Sequence, residues 1–506
     1  MTNSKLIAKN TIFLYFRMML TMAVSLYTSR VILNVLGIQD YGIYTVVGGI
    51  VAMFGFFNSA MSSATQRYLA IEIGKAKEGN VSKIFNSSFI IHLGIALLVL
   101  IFAETIGLWF LNNKLQIPVG RLNQANFVYQ FSIIASIITI SQVPFNSLIL
   151  AKERMNIFAI ISVVEVILKL LIVYFLYISP FDKLKTYSFL VVIVSLIISS
   201  IYKVYCLKNF KESKFKIYKD RVFFIELLKY SGWNLFGNFA AISKQQGINV
   251  LLNIFFGSVL NATFGVMLQV QNAVGSFVQN FQTAINPQIY KNYAQGNFSR
   301  VETLIFQSSR FSFFLLLILI SPIIFNIKFL LNWWLKNPPE YSDIFVTLIL
   351  INLLIECISY PLITAALATG KIKNYQIVVG TILFLNLPIS YIFFKYFDNP
   401  VIFLYVAIVL SLVSLCFRAF FLRSLINFRV FYFLKNSIFP MLFLFSINSI
   451  FFLFLKRYII LSNNFLDMIN SSIMISFVNL ISIYLIGINR FEKEMIKSFI
   501  IKKIKG

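Results

Sequence analysis

Apolar runs recur from one end of the chain to the other, broken by short polar or basic segments. "IALLVLIFAETIGLWFLNN" and "FLLLILISPIIFNIKFLL" are typical, each near the roughly 20 residues that a helix needs to cross a bilayer. Read in series, the runs predict about fourteen spanning helices. The first lies over 11–33, the second over 42–63, the seventh over 230–256, the eighth over 263–286 and the last over 468–487. The expected fold class is an all-α polytopic membrane protein.

The pattern also repeats. Asn10 opens the first helix and Asn234 the seventh, while Arg67 follows the second and Lys291 the eighth, at one constant offset. "EGNVSKIFNSS" finds an echo in "QGNFSRVETLIFQSS". The chain therefore divides into an N-terminal six-helix bundle over 1–206, a basic linker over 207–229, a second six-helix bundle over 230–423, and a further helix pair with a basic tail over 424–506. Six is even, so both bundles start on the same side of the membrane. The repeats are parallel, an arrangement in which transporters bind substrate between the halves.

Composition agrees with the pattern. Of 506 residues 59% are hydrophobic and only 12% charged, too few charges for a soluble globule of this length. The first helix reads as retained, because Arg17 interrupts its apolar stretch and no small-residue cleavage site follows. Cys206, Cys357 and Cys416 fall in or beside separate apolar segments, with no metal or disulfide spacing. The formal net charge of +26 sits mostly in alternate connections, as the positive-inside rule requires, and so argues against nucleic acid as a partner. It predicts cytoplasmic termini, and the basic linker reads as a solvated loop near anionic lipid. Only Arg17, Arg30, Lys169 and Lys244 are then left inside helices.

Polar residues within the helices carry the candidate chemistry. Thr45, Gly48, Ala52, Gly55, Ser59 and Ser62 form a stripe on the second helix, read as a packing surface of small residues. Gln269, Asn272, Ser276, Gln279, Thr283 and Asn286 form a matching stripe on the eighth. Its four amides point to a water-accessible cavity wall. Asn234, Asn238, Gln245 and Asn249 share a face of the seventh helix, with Lys244 beside them. Thr21, Ser25 and Thr28 share the face of Arg17; Arg30 lies nearer the helix end, where snorkelling explains it as well as function does. Glu165 and Lys169, four residues apart, read as a structural pair. Glu104 and Glu356 show no local partner and are the candidates for ion coupling. His92 reads as structural.

At "TSRVILNVLGIQDYGIYTVVGGI" and "SATQRYL" the chain resembles the Wzx-type polysaccharide flippases of the multidrug/oligosaccharidyl-lipid/polysaccharide exporter superfamily. Ser29-Arg30, Leu36-Gly37, Tyr41-Gly42 and Gln66-Arg67 carry the local likeness, and helix number and duplication extend it over the chain. The resemblance implies two six-helix bundles around a central cavity that opens alternately to each side. It implies a cargo of undecaprenyl-pyrophosphate carrying an oligosaccharide repeat for O-antigen or another surface polysaccharide, and raises Arg30 to a cargo ligand. Membrane lipids are the surrounding partners, and a polysaccharide polymerase and chain-length machinery would act downstream. No cofactor is expected; membrane potential, proton or sodium would supply the energy. Relatives that flip lipid II carry an arginine within the second helix, which has none here before Arg67, but the additional final helix pair resembles theirs, so a lipid II flippase stays an alternative.

The residue chemistry fits such a cargo. Guanidinium and ammonium groups at Arg17, Arg30 and Lys244 suit a pyrophosphate. The amides of Asn234, Asn238, Gln245, Gln269, Asn272 and Gln279 suit sugar hydroxyls. A cation-coupled multidrug exporter would display cavity carboxylates, whereas every Asp here lies in a loop or at a helix edge. A membrane-embedded polymerase or glycosyltransferase would need a metal-binding Asp pair, a phosphate loop or a large outer loop, and the sequence has none of these.

Overall fold

The computed structural model describes residues 3–55, single positions between 58 and 73, then 80–152, 154–216, 218, 225, 239, 242–369, 373–458, 464–488 and 493–494. The side chains of 3–17 and of some other helical positions, Thr283 and Lys291 among them, are outside the described set. Among the described residues every regular element is helical. In hydrocarbon a backbone must bond within its own segment, which leaves an apolar run little other choice.

Eleven described helices are long and apolar enough to cross a membrane. One of them, Met18–Met53, holds the first two expected spans. It belongs to α1 (Asn3–Met53), which bends at Gly37, where φ is 80° and ψ is 167°. That conformation is open in practice only to glycine. Of the expected seventh span, 230–238 and 240–241 lie outside the described residues, and 242–256 is helical. The eighth lies in a later helix, Ser258–Ala294, long enough to span but too polar to count among the eleven.

The chain forms two compact units. The first comprises Met1–Gln269, Pro339–Tyr341 and Leu383–Phe403. Here α2 (Val81–Phe102), α3 (Leu122–Ala151), α4 (Met155–Ile178) and α5 (Lys183–Asn209) assemble with α1. α3 runs along α5, α1 against α4, and α2 against α3. Ile43, Val46 and Val47 of α1, Val128 and Ile133 of α3 and Leu184 of α5 are buried between them. Asn80 caps α2 and Asp182 caps α5, each accepting a backbone N–H three residues on. Leu97, Leu98, Tyr174 and Phe175 remain exposed, as befits faces turned to lipid rather than water. His92 is fully buried on α2 and its Nδ1 lies 2.8 Å from the Ser88 carbonyl oxygen.

Two polar networks tie this unit together. At the starts of α3 and α5, the Arg121 guanidinium donates to both carboxylate oxygens of Asp40 and, at 2.8 Å, to Asp182. Partial burial would raise the Asp182 carboxyl. The Lys185 amide and Arg121 outweigh it and hold the group below the ordinary carboxylate range. The second network is built of amides. Asn249 donates to the Thr45 carbonyl at 3.0 Å, Asn261 to Asn249 Oδ1 at 2.7 Å, and Asn253 to Asn261 Oδ1 at 2.9 Å. The Gln116 amide N–H completes it, donating to Asn253 Oδ1 at 2.8 Å.

The second unit comprises Val270–Pro338, Ser342–Ile382 and Leu404–Gly506. It takes in most of α6 (Ser258–Ala294), then α7 (Phe298–Phe325), α8 (Ser342–Ala368), α9 (Lys373–Phe384), most of α10 (Ile402–Ile426), α11 (Phe439–Tyr458) and α12 (Phe465–Ser482). α7 is central, packing on α8 and α12. Arg310 of α7 is only 8% exposed, donates to the Gly487 carbonyl and lies over the Phe314 ring. Arg418 of α10 is 7% exposed and donates to the Tyr375 hydroxyl. Neither is among the four cations that the sequence reading leaves inside helices, yet both are buried there, held by oxygen acceptors and aromatic faces that a linear pattern cannot show.

A candidate cavity lined by hydroxyls and one ion pair

Unit 1 encloses a cavity of about 770 Å³. Both segments of α1 line it: Thr21, Ser25 and Thr28 before Gly37, then Tyr41, Tyr44, Gly48, Ala52 and Gly55 after it. The helical repeat of three and four residues puts each set on one face. α3 adds Ser132, Ser136, Thr139 and Gln142, and α5 adds Tyr187, Ser188 and Ser195. Gln269 of α6 completes the polar lining, accepting from the Ser25 hydroxyl at 3.0 Å. Tyr44 and Tyr187 meet edge to face, with ring centroids 4.8 Å apart. Such a wall offers many donors and acceptors around aromatic faces, the composition that sugar hydroxyls and ring C–H groups require.

The charge in this wall comes from α4. Glu165 and Lys169 both line the cavity, bonded Nζ to Oε1 at 2.6 Å. Their side chains are 39% and 54% exposed, so the pair is wetted rather than sealed. The sequence reading took it as structural; the tertiary structure turns it into the cavity.

The second-helix stripe is also corrected. Gly48 and Gly55 have open space where a Cβ would point. The close approaches lie on the other side, at Gly42 against the Ser258 backbone, and at Gly49, where a Cβ would meet the Gln246 and Asn249 side chains at 2.7 Å. One face therefore lines the cavity and the other lets chains pack closely.

Of the predicted site residues, the structure places Gln269 in the cavity. Arg30 is half-buried on α1 and is not part of the lining. Lys244 is half-buried and Gln245 exposed on the helical stretch 242–256, while Asn249 is buried in the amide network. Asn272 and Gln279 are exposed on α6, within unit 2. Asn286, further along the same stripe, accepts from the Thr364 hydroxyl of α8 at 2.9 Å. The Arg17 side chain, Asn234 and Asn238 lie outside the described residues.

The two candidate coupling carboxylates do have partners. Glu104 accepts from Gln130 at 3.2 Å, and Glu356 accepts from Asn352 one turn earlier on α8 at 3.0 Å. Among the described residues no group of His, Cys, Asp and Glu is placed to hold a metal ion.

Residues 7–293 match the sequence profile of polysaccharide biosynthesis proteins. No curated protein sequence matches the chain. Solved structures are similar in fold. The lipid II flippase MurJ in an inward closed conformation aligns at TM-score 0.66 and 14% identity, over 94% of this chain and 99% of that one. An inward-facing multidrug resistance MATE transporter of the MOP superfamily aligns at 0.65 and 14% identity, over 80% and 95%. A MOP superfamily transporter from Pyrococcus furiosus, described as having a binding pocket of reverse polarity, aligns at 0.59 and 14% identity, over 84% and 96%.

Proposed function

We propose that the chain, which belongs to the polysaccharide biosynthesis protein family, is a membrane transporter of the MOP superfamily and a Wzx-type flippase, a reading supported by its likeness in fold to the MATE and MurJ structures. It moves undecaprenyl-pyrophosphate-linked oligosaccharide repeat units across the cytoplasmic membrane by alternating access, for O-antigen or another surface polysaccharide. The observation that carries this reading is the unit 1 cavity, whose hydroxyls, amide and tyrosines match a saccharide. A cavity for a greasy cation would carry unpaired carboxylates, and here the one acid among the described lining residues is neutralised by Lys169.

In this proposal the halves over 1–206 and 230–423 rock about the cargo, and the pair over 424–506 is an appendage. Arg17, Arg30 and Lys244 hold the pyrophosphate, and Asn234, Asn238, Gln245, Gln269, Asn272 and Gln279 contact sugars. Glu104 or Glu356 links the cycle to proton or sodium. The prenyl tail stays in lipid. Both termini are cytoplasmic, in the inner membrane, and polymerase and chain-length proteins receive the product.

Purified protein in proteoliposomes should flip lipid-linked oligosaccharide, scored by accessibility of the sugar to an external lectin. The triple variant Arg17→Ala, Lys244→Ala, Arg30→Ala should be strongly impaired. Losing one charged hydrogen bond to phosphate costs about 1.5–3 kcal/mol. Unimpaired flipping by the triple variant overturns the cationic roles. Drug resistance in cells, with no lipid-linked sugar flipped, favours a multidrug exporter.

A further inference from the structure

The flippase reading leaves the best-placed charges of the cavity without a role. Glu165 and Lys169 face a space large enough for a saccharide, on a helix whose other neighbours there bring no opposing charge. Among the described lining residues, α1 presents the titratable groups Tyr41 and Tyr44, α5 presents Tyr187, and α3 presents only Ser132, Ser136, Thr139 and Gln142 as polar groups. Lys169 lies within electrostatic reach of Tyr44. A carboxylate and an ammonium one helical turn apart neutralise each other, in the favourable order of acid before base.

Resting on the anionic-cargo reading, we propose that Lys169 is an anion-binding residue of the cavity and that Glu165 occupies it as a stand-in while no cargo is bound. A lone ammonium inside a membrane cavity is costly. Glu165 removes that cost in the empty transporter without adding net charge. An arriving phosphate oxyanion then takes the ammonium that Glu165 held. The exposure of both side chains to the cavity gives the anion access.

The test is equilibrium binding of radiolabelled farnesyl pyrophosphate, with inorganic pyrophosphate as a second probe, to the full chain in nanodiscs at pH 8. Glu165→Gln should bind either probe about twofold tighter than wild type at pH 8, the scale of an exposed ion pair released from competition. The wild-type to variant ratio is the readout. Lys169→Gln should weaken binding, Lys169→Arg should restore it, and Glu165→Gln should have no effect in the Lys169→Gln background. If Glu165→Gln fails to fold, Glu165→Ala serves for the same comparison. A ratio near one at pH 8, or a gain that survives loss of Lys169, overturns the inference while leaving the flippase reading intact. Failure of wild type to bind either probe overturns both. Binding of both probes supports an oxyanion site independent of the tail; binding of the prenyl probe alone supports a lipid head-group site.

Discussion

The two units use buried and half-buried cations in opposite ways. In unit 2, Arg310 and Arg418 are withdrawn from water, bonded to the Gly487 carbonyl and the Tyr375 hydroxyl. In unit 1, Lys169 is more than half exposed to a cavity and is balanced by a carboxylate. A guanidinium spreads its charge over a plane and is weakly hydrated, so it can be built into a packed interior between an oxygen acceptor and a ring. An ammonium is compact and strongly hydrated, which suits a wet wall where its partner can be exchanged. A cation in a membrane helix is thus no guide to function until its surroundings are known.

The sharpest way to break this comparison is to delete a buried arginine. Arg310→Met keeps bulk but leaves the Gly487 carbonyl without its donor. Thermal unfolding in detergent should show a loss of about 3 kcal/mol. A change near zero would mean that Arg310 does not pin Gly487 to α7. Next in size is Gly42→Val, which forces a side chain against the Ser258 backbone. Overpacking of this kind costs about 1–3 kcal/mol, and the same assay would register it. Lys169→Gln should hardly move the unfolding midpoint, because an ion pair this exposed contributes about 0.5 kcal/mol or less, yet it should alter anion binding. A large stability loss there would return the pair to a purely structural role.

Accessibility sharpens the contrast further. In a chain whose own cysteines are replaced by serine, Cys at Ser136 or Thr139 should react with a water-soluble thiol reagent. Cys at buried Ser308, beside Arg310, should be protected. Equal rates would erase the distinction between wet and packed walls. The smallest effect concerns acid. Asp182 has its carboxyl held low in the folded chain, so its stabilising contribution is complete above the ordinary Asp value of about 3.9 and is lost as pH falls through the lower folded value. Asp182→Asn should flatten that part of the acid unfolding curve.

Much of the molecule was legible before any coordinates. Run length and apolar content required spanning helices, because the backbone has no partner in hydrocarbon other than itself. Three- and four-residue spacing collected Thr21, Ser25 and Thr28 on one face, and they do line the cavity with Gln269. The same spacing misled at Gly48 and Gly55. A stripe of small residues suits close packing and an open wall equally, and the neighbour decides. At Glu165 and Lys169 the spacing paired the two charges correctly, and only the tertiary structure showed that the pair lines the cavity.

What the sequence determined by itself is the class of solvent and the periodicity: helices, their approximate bounds, and which residues share a face. Those follow from local geometry and from transfer of side chains out of water. Which face meets lipid, water or another helix was decided only by tertiary structure. Burial of Arg310 depends on Gly487, 177 positions away, and the amide network joins Gln116 to Asn253 across 137. Polar groups in a membrane take their meaning from the partner that satisfies them, and that partner is chosen by how the chain folds back on itself.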